Sequence, residues 1–228
     1  MENNLLKVSE NVLGGKFLME TIAEKRLTDV MKERRSVRKY EPNVSISVEE
    51  IKDMIKEATT APSSSNLQPW RFIVIQDQET KAELRTIAFN QEQVETASAV
   101  IAVLGDKEMY KSIEKVYQSA YEAGFMDKVS MEQLIANGNS TYPHAPEEVR
   151  KNIATFDAGL ISMQLMLIAK ERGYDTVPMA GFDKQKFIER FNVSDRYFPI
   201  LLLPIGKAAA PAHNTTRLPL EDVIIDYK

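Results

Sequence analysis

The chain has 228 residues, 43% apolar and 27% charged, the make-up of a globular protein with one well-filled core or two small ones. Its net charge of −4 disfavours a broad nucleic-acid surface, and the lack of cysteine excludes disulfides, thiolate metal sites and a cysteine nucleophile. No uninterrupted apolar run approaches the roughly 20 residues of a membrane span, and Glu2, Lys7, Glu10 and Lys16 break up the N-terminus, so neither a membrane segment nor a signal peptide is expected and the cytoplasm is the default location.

Residues 1–18 read as a peripheral extension, with residues 19–228 as one domain. Ile22, Leu27, Val30 and Met31 recur near helical spacing over residues 20–33. The next segment is Arg34-Arg35-Ser36-Val37-Arg38. Guanidiniums flanking a hydroxyl can fork onto phosphate oxygens; a helix that ends in basic residues to suit its dipole gives the same letters. Ser47-Val48-Glu49-Glu50 starts a helix as an N-cap followed by early acids, with Ile51, Met54, Ile55 and Ala58 as its apolar stripe.

Pro62-Ser63-Ser64-Ser65-Asn66-Leu67-Gln68-Pro69 puts small polar residues between prolines. Their hydroxyls and amides suit the carbonyls and ring nitrogens of a flat heterocycle, although a plain turn uses the same residues. Trp70–Ile75 reads as a strand with Trp70 in the core, and residues 78–89 as a helix. The apolar run 97–104 reads as a strand buried on both faces. Residues 107–137 carry two polar-rich helical segments.

The longest helix spans roughly Pro146 to Arg172, with acids in its first turn, Lys170 and Arg172 in its last, and Gly173 just beyond. Apolar residues surround its middle, so it belongs to a core or a subunit interface. Pro178–Phe182 is a turn whose Gly181 allows close approach of a flat ligand. Helix is expected over 183–191, a doubly buried strand over 197–206, and a strand at the β-rich C-terminus, 219–228. That last strand has no hairpin partner and can add to another subunit's sheet edge. Arg217 reads either as a further phosphate clamp or as an exposed ion-pairing arginine. His144 and His213 both read as surface residues, and no metal, nucleotide-loop or hydrolase motif occurs.

Taken in order, RRSVR, TTAPSSSNLQPWRFIVI, FNQEQV, ISMQLMLIAKERGYDTVPMAGFD and LLLPIGKA with the later RLP resemble the nitroreductase family of FMN-dependent NAD(P)H oxidoreductases, and within it the small bacterial members. The likeness runs from about Thr28 to Leu220. It implies an α+β fold: a three-layer α/β/α sandwich with a mostly antiparallel central sheet. It also implies an intertwined homodimer with FMN at the subunit interface, the long apolar helix in the dimer core and the C-terminal strand exchanged.

By the same resemblance, Arg34, Arg35, Ser36 and Arg38 hold the FMN phosphate, the ribityl chain and the N1/O2 edge. Pro62, Ser63, Ser64 and Asn66, with Gln68 beside them, come from the other subunit and line the ring. Asn90 addresses the pyrimidine edge, the Ala180 and Gly181 amides reach N5 and O4, and Arg217 closes on the phosphate. Gln93 and Thr215 stand where many relatives carry lysine, which leaves Arg38 to stabilise the reduced ring.

The implied activity is a two-electron ping-pong hydride transfer from NAD(P)H to a small electron-poor acceptor, a nitroaromatic or quinone. No side-chain acid or base is required and no metal, nucleic acid or membrane is involved. Residues 107–137 form the lid over the acceptor. Other readings of the same residues are a flavin-dependent dehalogenase or flavin-destroying synthase, a flavin-binding carrier or regulatory dimer without turnover, and a cofactor-free dimer.

Overall fold

The computed structural model describes residues 26–226. The expected extension 1–18, and the first part of the helix expected from residue 20, lie outside the described residues. In chain order the helices are α1 (Leu27–Glu33), α2 (Val48–Ala58), α3 (Gln78–Ile87), α4 (Glu92–Thr96), α5 (Ile113–Glu122), α6 (Lys128–Thr141), α7 (Glu147–Glu171), α8 (Lys184–Phe191) and α9 (Leu220–Val223). The strands are β1 (Trp70–Ile75), β2 (Ala99–Asp106), β3 (Asp175–Thr176) and β4 (Tyr197–Gly206), all antiparallel in the order β1-β2-β4-β3.

Alternation along β2 builds two cores. Ala99 and Ile101 pack with α2 and α7, whereas Val100, Ala102 and Leu104 pack with α3 and α8. This gives helix, sheet and helix in three layers, as the resemblance implied. In β4 an extra residue, Ile200, interrupts the register between Val103↔Leu201 and Leu104↔Pro199. The bulge shifts the alternation, so Phe198 and Ile200 both join Val103 and Ala158 on the α7 side.

Pro204 sits in an interior strand, where proline is unusual because it donates nothing to the ladder. Its carbonyl accepts from Val177 N–H at 3.3 Å and from the Tyr40 hydroxyl at 3.1 Å. On that side β3 ends after Thr176, yet pairing resumes in the same register at Met179↔Leu202. Burial pushes the Tyr40 phenol far up, so it remains a donor here.

The caps explain where the helices begin and end. The Ser47 hydroxyl accepts from Glu50 N–H at 3.0 Å at the start of α2. Asp77, Asp127 and Asp183 cap α3, α6 and α8 in the same way, and those hydrogen bonds hold each carboxyl below the usual range. α7 ends in a Schellman motif: Gly173 lies at φ +82°, its N–H reaches Lys170 O, and Tyr174 N–H reaches Ala169 O.

By length and composition α7 is, among the described residues, the one helix suited to cross a membrane. Here it is a core helix, with Ala154, Ala158, Ile161, Leu165 and Ala169 buried against the sheet and α2. Its other face is open. Phe156 is 66% exposed and Met163 38%, and Leu160, Met163 and Leu167 line an apolar groove of about 820 Å³ that also meets Leu27, Val30 and Pro62.

The expected C-terminal strand is not found among residues 219–226. Pro219 and the acids Glu221 and Asp222 start a helical turn instead, with Ile224 N–H bonded to Leu220 O. Local capping outweighs the β propensity of Val223 and Ile224 because no neighbouring strand is present to reward an extended backbone. Leu218, Leu220, Val223 and Ile225 are left exposed.

Candidate functional site

The predicted site residues fall into two groups, on opposite edges of the sheet. The first gathers at the β3 edge. Arg34 caps α1, and the chain then runs beside β3, with Ser36 bridged to Thr176 and Val37 N–H bonded to Thr176 O at 3.1 Å. Ser36 and Arg38 share a cavity of about 390 Å³ with Lys39, Glu92, Gln93 and His213. His213 is exposed as expected, yet it stands in this wall.

Among the described residues no ion pair joins Arg34, Arg35 or Arg38 to a carboxylate, although Glu92 stands in the cavity wall. Arg35 donates to the Lys32 and Arg34 carbonyls, and Arg38 contacts Ser36 O at 3.4 Å. Arg34 Nε is buried and has no hydrogen-bond partner among the described residues, and the same holds for Thr176 Oγ1 of the residue bridged to Ser36. Arg71, Arg85, Arg172, Arg190 and Arg196, by contrast, each hold a carboxylate. Arg38, Lys39 and Ser36 line the cavity, with Arg34 and Arg35 next to them in sequence, a donor chemistry that fits a phosphate.

A chain of amides links this cavity to the Ala180-Gly181 turn. Gln93, buried, donates to Gln91 Oε1 at 3.1 Å and lies 3.5 Å from Met179 Sδ; Gln91 Nε2 donates to Gly181 O at 3.0 Å. Gln93 is therefore a neutral residue committed to its neighbours. Met179 exchanges both ladder bonds with Leu202, at 2.8 and 2.9 Å, and the chain then leaves the sheet. The exposed N–H groups of Ala180 and Gly181 have no acceptor among the described residues. Asn90, next to Gln91, sits at φ +59° with its backbone tied to Arg85 at both N–H and C=O and its side chain exposed. Arg217 does not line this cavity: among the described residues its guanidinium bonds Thr215 Oγ1 at 2.8 Å and Thr216 O at 2.7 Å.

The second group is the loop that leads into β1, at the opposite edge. Pro62 lines the α7 groove, and Ser64–Asn66 form a 3-10 turn. Nearly every polar group of this loop is engaged. Ser63 Oγ accepts from Gln68 N–H at 3.1 Å, and the Gln68 amide bonds Asn66 at both O and Oδ1. Asp157 of α7 accepts from Ser64 N–H at 3.0 Å and from its hydroxyl at 3.3 Å. Tyr117 of α5 donates to Ser65 O at 3.0 Å, and the Tyr142 and Ser65 hydroxyls are 2.7 Å apart. Leu67, 1% exposed, anchors the loop among Met109, Ile113, Tyr117 and Met131 of the helical segment 107–137.

Sequence reasoning missed Asp157, Tyr117, Tyr142, Thr176 and Gln91. One signal was available: Asp157 is the lone acid in the apolar middle of α7.

Residues 31–207 match the family model described as "Nitroreductase family". The chain is 46% identical over 202 residues to "Putative NAD(P)H nitroreductase YdgI" of Bacillus subtilis, covering 88% of this chain and 96% of that one. It is 37% identical over 202 residues to "CLA biosynthesis enone reductase" of Lactiplantibacillus plantarum, covering 87% and 93%. Among solved structures, that of a "putative nitroreductase in complex with FMN" from Exiguobacterium sibiricum superposes with a TM-score of 0.85 at 44% identity, covering 90% of this chain and 98% of that one.

Proposed function

The chain belongs to the nitroreductase family, and from that premise we propose that it is an FMN-dependent NAD(P)H oxidoreductase that acts on small electron-poor acceptors in the cytoplasm. The observation that carries this reading is the group Arg34, Arg35 and Arg38 around Ser36, which among the described residues makes no ion pair with a carboxylate, with two buried polar atoms beside it that have no partner there.

Arg34, Arg35 and Ser36 would hold the phosphate and ribityl chain, and Arg38 would supply positive charge to the ring's N1/O2 edge. The free Ala180 and Gly181 amides and the exposed Asn90 side chain would meet the polar edge of the ring. FMN held by these residues would supply two-electron redox chemistry between NAD(P)H and the acceptor, the protein contributing binding, orientation and charge. With Gln93 neutral and Thr215 bonded to Arg217, Arg38, with Lys39 beside it in the cavity wall, would supply the positive charge that favours a reduced, anionic ring.

Pro62, Ser63, Ser64, Asn66 and Gln68 belong to the loop that leads into β1, at the other end of the strand order from β3. Between the two groups runs the open apolar face of α7. A second copy seated on that face as an isologous partner would bring its loop to the first chain's arginines. On this reading the exposed tail after Pro219 reaches across to the partner, the helical segment 107–137 covers the acceptor, and Arg217 joins the phosphate only in the assembly.

Titration with FMN, followed by anaerobic NADH or NADPH, tests the proposal. Flavin absorption bands that bleach with either donor and return with menadione are expected. Bands that never appear overturn the cofactor reading, and bands that appear but turn over with neither donor favour the carrier. Light scattering should give twice the 25.8 kDa chain mass; a monomer that retains FMN overturns the shared site.

A further inference from the structure

Asp157 is 1% exposed in the core helix α7, and burial raises its pKa while the two Ser64 bonds lower it. No ionisable group contributes to that balance among the described residues. A buried carboxylate without a counter-ion is destabilising, so its presence asks for a reason.

The loop it grips supplies one. Ser65, Asn66 and Gln68 lie at φ +50°, +53° and +49°, in the left-handed region that non-glycine residues seldom adopt. Such backbone persists only where its surroundings over-determine it, and it concentrates at ligand-binding segments. Here the restraints come from the loop's own Ser63, from Tyr117 and Tyr142 on the helical segment side, and from Asp157. Among those polar restraints, only Asp157 ties the loop to the helix whose outer face forms the groove.

We propose that Asp157 is a positioning residue for cofactor binding: at a cost in fold stability it holds Ser63–Gln68 in the one backbone shape that meets the FMN ring. The inference rests on the FMN reading above. Ionised Asp157 offers an acceptor to each Ser64 donor. Asparagine can keep both contacts, accepting from the N–H and donating to the hydroxyl. Leucine fills similar space and keeps neither.

The test uses full-length Asp157→Leu and Asp157→Asn beside the wild type, with three readouts: amide exchange over residues 63–68 without FMN, thermal midpoint, and FMN dissociation constant. Asp157→Leu should keep or raise the midpoint, exchange at Ser64 and Gln68 at least tenfold faster, and bind FMN at least tenfold more weakly. Asp157→Asn should restore both protection and affinity. Unchanged exchange and affinity in Asp157→Leu overturn the proposal. So does a loss of affinity that only follows a falling midpoint, a variant that does not fold, or an Asp157→Asn protein as impaired as the leucine one. A wild type that binds no FMN defeats the cofactor reading instead, and the exchange data then still decide whether Asp157 holds the loop.

Discussion

The two halves of the candidate site are built on opposite plans. At the β3 edge, among the described residues, the arginines hold no carboxylate, Arg34 Nε and Thr176 Oγ1 have no partner, and the Ala180 and Gly181 amides are unused. In the Ser63–Gln68 loop the bonding groups face one another, and Leu67 is sunk in a cluster. The first half is open to a ligand that brings its own acceptors. The second is a finished shape to be presented. Charge can be left unsatisfied at a half-exposed edge because water screens it; a left-handed backbone has to be braced before any ligand arrives.

Substitutions should therefore act on different quantities in the two halves. The largest effect on stability is expected from Leu67→Ala, which empties a fully buried position and should cost about 2–5 kcal/mol in denaturant unfolding. A loss below 1 kcal/mol would mean that the loop is not anchored in that cluster. Next comes Arg38→Ala, expected to leave unfolding unchanged within about 0.5 kcal/mol while weakening FMN by about 1.5–3 kcal/mol, the worth of a charged hydrogen bond. If Arg38→Ala unfolds early instead, the open half is structural and the contrast fails.

Tyr142→Phe should remove about 1 kcal/mol of loop bracing, seen as faster exchange at Ser65 with little change in thermal midpoint. The smallest effect sharpens the contrast through pH. Asp157 has a folded-state pKa raised by burial. Its ionisation penalty is therefore absent below the ordinary aspartate value of about 3.9 and complete above the raised value. The stability of wild type relative to Asp157→Asn should fall as pH rises between those two values. A difference that grows with pH in wild type's favour would show that the Ser64 bonds outweigh burial.

Much of the fold was legible because local chemistry and tertiary position agree. The Ser47 cap, the limits of β4 and the Schellman end of α7 at Gly173 all follow from residues whose conformational preference matches their place. The tail differs from the expected strand in the single chain: Val223-Ile224-Ile225 carries β propensity, whereas Pro219 and its acids favour a turn that a lone chain can complete. The arginine half was readable as a motif because its residues are neighbours in sequence. The restraints on the loop were not: Asp157, Tyr117 and Tyr142 lie 52 to 93 positions from their partners, a pairing that only the folded chain defines.

Pro204 has a wider consequence. Register alone would make residues 175–179 one continuous strand, but the missing amide at Pro204 divides it. The front piece ends beside Ser36 and the phosphate-type donors; the rear piece leads through Met179 to the amides offered by Ala180 and Gly181. Between them the Val177–Pro204 pair keeps one hydrogen bond where a regular antiparallel pair would have two. The residues suited to an anion and those suited to a ring thus stand on two pieces of one interrupted strand, which separate substitutions can reach.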